Sequence, residues 1–147
     1  MPSYTGATSI YNYWAEYIAK AADLAADTFK CLLTTSAYTP NLSTHSVLAD
    51  ITNEVSGNGY ARQTLAGVSF SQSGGSAKFL CDPIVFTASG GSITARRAII
   101  YDDSVASPAK PLICAILLNN ADVDVVTTNG NTLTVQIPGT GLFTLGA

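Results

Sequence analysis

The pattern of apolar and polar positions divides the chain into two unlike parts. From Ser9 to Ala26, the residues Ile10, Trp14, Tyr17, Ile18, Ala21 and Leu24 or Ala25 recur at spacings of three and four. That spacing draws one apolar stripe along a helix. Ser9 stands where an N-cap would, and Glu16 precedes Lys20 by four residues, the order that favours an ion pair on one face. After Asp27 the helical period disappears. The run TFKCLLTTSAY (28–38) is β-branched and apolar and predicts a strand. Pro40 and Asn41 mark a turn, and Ser43 or Thr44 would cap one helical turn over 45–50. From Tyr60 onward the pattern predicts strands over 60–70, 77–86, 93–101, 112–118, 123–127, 132–137 and 142–145. Turn residues separate them, and Asn129-Gly130 predicts a hairpin because both tolerate positive φ. AIIYDD (98–103) and PLICAILL (111–118) open or continue as nearly unbroken apolar runs, which predicts central strands buried on both faces.

The expected fold is therefore mainly β: a single antiparallel β-sandwich or small barrel with an N-terminal helix or arm. The 147 residues suit one domain. The pattern divides it into a helical arm over 1–26 and a β-domain over 27–147. On that division, deleting 1–26 would remove partner binding and leave the β-domain folded.

Composition narrows the function classes. Charged residues make up 12% of the chain, about half of the usual ~25%, so little of the surface is built for bulk water. A stable assembly explains this, and so does a neutral Thr/Ser-rich surface. The net charge is −3 and the seven Lys and Arg are scattered, which argues against a nucleic-acid groove, since that requires clustered cations. No run reaches the length of apolar residues that crosses a bilayer. The N-terminus lacks the charged and apolar regions of a secretion signal, and the expected folding compartment is a reducing cytoplasm. Cys31, Cys81 and Cys114 each lie in an apolar, strand-like run without C-x-x-C spacing, and read as buried free thiols.

The stretch NEVSGNGYARQTL (53–65) poses the main chemical question. A phosphate cradle needs a strand before its glycines and a helix after them. Here Gly57-Asn58-Gly59 leads into a strand-like tail, so the glycines are expected to supply positive-φ corners. Arg62 is either a partner for Glu54 or another carboxylate at an interface, or a solvated strand residue. His45 lies in a polar loop, and no G-x-S-x-G elbow accompanies it. Asp102-Asp103 reads as a solvated or turn-capping pair. Asp122 and Asp124 would share a strand face and could meet a cation, but lack the further oxygens of a calcium loop. The reading is a non-enzyme with no cofactor and no metal.

The aromatic residues Tyr4, Tyr11, Tyr13, Trp14 and Tyr17 crowd one short terminus. Either the helix packs on its own domain, or these side chains reach a neighbour, since aromatics are favoured at interfaces. Arg96 and Arg97 are adjacent, and in a strand they would point to opposite faces.

EVSGNGYARQTL (54–65), the paired strands after it, ITARRAIIYDD (93–103), PLICAILL (111–118) and NGNTLTVQIPGTGLFTLGA (129–147) follow one another in an order that resembles a family of small tailed-phage virion proteins. The N-terminal helix followed by TFKCLLTTSAYTP also looks like that family's opening, so the resemblance spans most of the chain. The sequence departs from it at Arg96-Arg97-Ala98, where small residues or glycine often stand. The resemblance implies a structural virion component, labelled in different members as head decoration or cement protein or as tail-fibre protein. It implies the major capsid protein as partner, a homo-oligomer (dimer or trimer) and a place in the phage head after synthesis in the host cytoplasm; the scattered cations and the lack of a bilayer-length apolar run separately predict no direct contact with nucleic acid or membrane. The expected partner-facing residues are Tyr4, Tyr11, Tyr13, Trp14, Tyr17, Arg62, Arg96 and Arg97. A tail, fibre or adaptor subunit is the second expectation, though the chain has neither long repeats nor a coiled coil. A carbohydrate-binding β-sandwich is the third.

Overall fold

A computed structural model describes residues 3–4 and 6–146, with the backbone alone for Ser3, Tyr4, Ser73 and Gly146. In chain order the elements are β1 (Ser3–Tyr4), β2 (Thr8–Ile10), α1 (Trp14–Lys20), β3 (Phe29–Thr34), β4 (Gln63–Thr64), β5 (Ser69–Ser73), β6 (Ser76–Leu80), β7 (Ile84–Thr87), β8 (Ile93–Ala95), β9 (Arg97–Asp102), β10 (Leu112–Leu117), β11 (Val125–Thr127), β12 (Thr132–Val135) and β13 (Thr144–Gly146). A single 3-10 turn, Leu48–Asp50, lies in the long segment between β3 and β4.

The strands form four sheets that pack as a sandwich. The largest has the order β2-β10-β9-β3-β4, and the smaller ones β1-β12-β7, β11-β8 and β13-β6-β5. Among the described residues the strand pairs are antiparallel except β1 with β12, which is parallel. The expectation of a mainly β sandwich with an N-terminal helix holds.

The two unbroken apolar runs do become central strands. Along β9 every residue from Ala98 to Asp102 is buried, and along β10 every residue from Leu112 to Ile116. Their two faces serve two cores. One face contributes Ala98, Ile100, Cys114 and Ile116 to the main core, which the smaller sheets cover with Phe79, Phe86, Leu133 and Val135. The other contributes Ile99, Tyr101, Leu112 and Ala115 to a second core, roofed by Tyr11, Tyr38, Leu42, Leu48 and Ile51. One-sided strands alternate instead, as in β7, where Ile84 and Phe86 are buried and Val85 and Thr87 are exposed.

Several expected elements are shorter. The helix covers seven residues, not Ser9 to Ala26. Ser9 pairs with Ala115 in β2, so it is a strand residue and not an N-cap. The sheet edge of β10 takes up the chain before a helix can form, and a turn closed by Asp27 Oδ2 on the Asp23 N–H (2.7 Å) follows the helix. Each of the runs 60–70, 77–86 and 93–101 is two strands. The first breaks at the positive-φ Gly67, the second around Pro83, and the third at Arg96, where the chain passes from one sheet to another. Asn129-Gly130 forms a turn, but β11 and β12 on either side belong to different sheets. The turn instead extends the β7–β12 ladder, with the Gly130 N–H donating to Ala88 O (2.9 Å).

The boundary expected near residue 26 does not coincide with a break in packing. Strand β2 is hydrogen-bonded to β10, and Trp14 lies in the main core at 1% exposure.

Candidate functional site

The corner at 53–65 is built for rigidity. Gly57, Asn58 and Gly59 all have positive φ (75°, 54° and 77°), and Gly57 O accepts the Tyr60 N–H at 2.9 Å. Asn58 latches this turn onto the one between β7 and β8. Its carbonyl accepts the Ser89 N–H (2.9 Å), and its side-chain amide donates to Ser92 O (2.7 Å). A β-carbon on Gly59 would sit 2.9 Å from Ser89 Cβ, whereas one on Gly57 would meet nothing within 4 Å. Gly59→Ala is therefore expected to destabilise by about 2–3 kcal/mol and Gly57→Ala by about 1 kcal/mol, the difference being the clash. Urea unfolding of the pair checks this, and equal losses would remove the packing role of Gly59. The chain leaves the corner into strand β4, so no helix dipole faces an anion here.

Beyond the corner, Arg62 grips Glu54 with two nearly parallel hydrogen bonds, Nε to Oε1 (2.8 Å) and Nη2 to Oε2 (2.7 Å). Tyr60 Oη donates to Glu54 Oε1 (2.8 Å) and accepts the Leu33 N–H (3.1 Å). The Arg62 guanidinium donates to Tyr101 Oη (3.3 Å) and lies over its ring at 5.8 Å. The hydrogen bond from Arg62 holds the Glu54 carboxyl below its ordinary value. Of the roles open to Arg62, the pairing with Glu54 is realised within the chain, where it ties the loop at 54–62 to β9.

Arg96 and Arg97 do not diverge to opposite faces. Arg96 sits at the bend between β8 and β9, and both side chains reach the turn at 119–122. Arg96 bonds Asp124 (Nε to Oδ1, 2.8 Å) and Asp122 (Nη1 to Oδ1, 3.1 Å). Arg97 Nη1 donates to Tyr38 O (2.9 Å), and Nη2 stands 3.5 Å from Asp122 Oδ1. The cation that Asp122 and Asp124 meet is thus a guanidinium.

The aromatic terminus is split. Tyr11 and Trp14, expected to face a partner, are 0% and 1% exposed. Tyr11 Oη is 2.7 Å from Tyr38 Oη in the second core. Trp14 meets Phe143 edge-on at 5.9 Å, in a run of rings that continues through Phe79 and Phe29. Their apolar area is claimed by the chain's own cores and is not offered to a neighbour. Tyr17 is half-buried against the main core, and Tyr13, stacked on it at 6.1 Å, is 41% exposed. The Tyr4 side chain lies outside the described residues.

The free cysteines Cys31 and Cys114 are buried, and burial pushes both thiols up. The half-buried Cys81 is pushed up to about 12, by burial and then by Asp82. None has the lowered value of a reactive thiolate.

The surface feature that sequence reading missed lies on the sheet borders. The outer strands of the four sheets are β1, β2, β4, β5, β7, β8, β11 and β13. Their residues include no Lys, Arg, Asp, Glu or Pro. The charged strand residues, Lys30, Lys78, Arg97 and Asp102, are all on inner strands. Monomeric proteins commonly place charge or proline on such edges to stop strand addition. Three exposed valines, Val85, Val123 and Val126, lie on or just beside these borders. Only knowing which strands are outermost exposes this pattern. Compared with known proteins, the chain matches no family model, no curated protein and no solved structure.

Proposed function

We propose that the chain is a structural subunit of a tailed-phage virion that works by surface contact, as a decoration or cement protein on the major capsid protein. The observation that carries the assembly part of this reading is the set of outer strands without charge or proline. A second feature supports it. Among the described residues, six of the seven Lys and Arg side chains have an ion-pair partner within the chain, so much of the small charge complement is spent internally. A surface whose outer strands carry no charge or proline, and whose cations are largely paired within the chain, gains by being covered with protein. A standard interface removes about 1,200–2,000 Å² in total. The free chain exposes 6813 Å², so a subunit touching several neighbours can bury a large share. The phage assignment itself rests on the sequence resemblance.

Copy number per purified particle, measured by quantitative mass spectrometry against the major capsid protein, tests the reading. A count on the order of hundreds supports a shell component of symmetric design. A dozen or fewer moves the protein to the tail or neck, and absence from the particle removes the virion reading altogether. Val126→Lys places a charge at the middle of β11, where the native residue is 57% exposed. The variant is expected to keep its melting temperature within a few degrees and to lose at least tenfold in particle binding or self-association. Unchanged association would show that this edge is not used.

A further inference from the structure

Arg97 is the least committed of the paired arginines. Its side chain is only 17% exposed, yet among the described residues one of its five N–H donors, the one on Tyr38 O, is spent at good hydrogen-bond distance. The nearest carboxylate, Asp122, belongs mainly to Arg96, at 3.1 Å against 3.5 Å. Arg97 faces a hollow of about 290 Å³ on the outer side of the largest sheet. Small residues make the hollow: Ser9 on β2 and Ala115 opposite it on β10 leave the floor low, while Thr39 and Pro40 form a wall. The turn carrying Asp122, itself at positive φ (54°), closes one end.

A poorly exposed guanidinium with unspent donors gains most from an anion that binds in its plane. The two hydroxyls and the apolar floor suit a short chain behind that anion. We propose that this hollow is a carboxylate-binding site with Arg97 as its receptor, sized for one acidic side chain or a small free acid. Asp122 then stays on Arg96 as the ligand takes the free donors of Arg97. The site belongs to the isolated chain and does not depend on the virion reading.

NMR titration of the folded chain tests this with propionate, its neutral analogue propionamide, and glutamate blocked at both ends. Propionate is expected to give saturable shifts at the Arg97 side-chain N–H and at the Ser9 and Ala115 amides, and propionamide none. Arg97→Gln is expected to abolish the shifts. Asp122→Asn, at an exposed position where asparagine tolerates the backbone, is expected to tighten propionate roughly fivefold by removing a like charge. This second variant decides the matter if losing the bond to Tyr38 O unfolds the first. Blocked glutamate binding more tightly than propionate identifies a polypeptide source, and equal binding a free acid. Absence of saturable shifts, equal binding of propionamide, or weaker binding by Asp122→Asn overturns the proposal.

Discussion

Trp14→Ala is expected to lower the unfolding free energy by about 3–5 kcal/mol, the range for emptying a large aromatic site in a packed core. Trp14 anchors α1 by inserting between the helix and the aromatic run of Phe143, Phe79 and Phe29. Its Nε1 is buried with no hydrogen-bond partner among the described residues. Trp14→Phe therefore sacrifices packing alone and is expected to cost less than half as much. Removing residues 1–26 goes further, because it takes away β1, β2 and α1 together. It exposes the edge of β10 and uncovers both cores where Trp14 and Tyr11 sit. The truncated chain is expected to be largely unfolded, with near-ultraviolet circular dichroism lost. A stable, cooperatively melting fragment 27–147 would show that the N-terminal segment is a separable arm after all.

Asp102→Asn is expected to stabilise the protein at pH 8 by on the order of 2 kcal/mol, with the gain fading towards pH 4. Asp102 is fully buried in β9. Its Oδ1 accepts the Ser104 N–H at 3.0 Å, while Oδ2 finds no donor among the described residues. Burial pushes its carboxyl up to about 7 against the lowering effect of the Ser104 N–H, and the nearby Asp27 carboxyl adds to the rise. Between the ordinary aspartate value, about 4, and about 7, the folded chain keeps a proton that the unfolded chain has released. Stability from this group is therefore complete at the acid end of that window, declines as pH rises through it, and levels off above it. Glu54 and Asp103, whose carboxyls Arg62 and Lys110 hold low, act in the opposite sense and lose their contribution on acidification below the ordinary carboxylate range. The wild-type profile should thus peak in weak acid, and the variant profile should be flatter from there to pH 8. Chemical unfolding at a series of pH values measures both curves. Parallel curves for the two proteins would mean that Asp102 does not titrate in this window.

Both predictions concern residues whose roles changed between sequence and structure. Trp14 was legible as part of an apolar stripe, and the part of that stripe on α1, Trp14, Tyr17 and Ile18, does pack on the core, while Ala21 is exposed. What a stripe does not encode is whether its partner is the same chain or another, because both demand the same apolar face. Asp102 closes an apolar run, AIIYD. That position signals burial, yet an aspartate at the end of a strand is more often solvated, and only the packing of two separate loops, one carrying Asp27 and one carrying Ser104, encloses it.

The local features were determined by the sequence alone. These include the two-sided strands β9 and β10, the bend at Gly57-Asn58-Gly59 and the β character of the rest, since they follow from side-chain period and backbone sterics within a few residues. The pairing of Arg62 with Glu54 was also within reach, lying eight residues apart across one turn. The tertiary structure alone decided what depends on long-range pairing. It took Ser9 into a strand on β10, split the run 93–101 at Arg96, and sent the chain across Asn129-Gly130 from one sheet to the next. It brought Arg96 and Arg97 to one acidic turn, and it determined which strands became outermost. A strand's own residues look the same in the middle of a sheet or at its border, because the difference lies in what is hydrogen-bonded beside it.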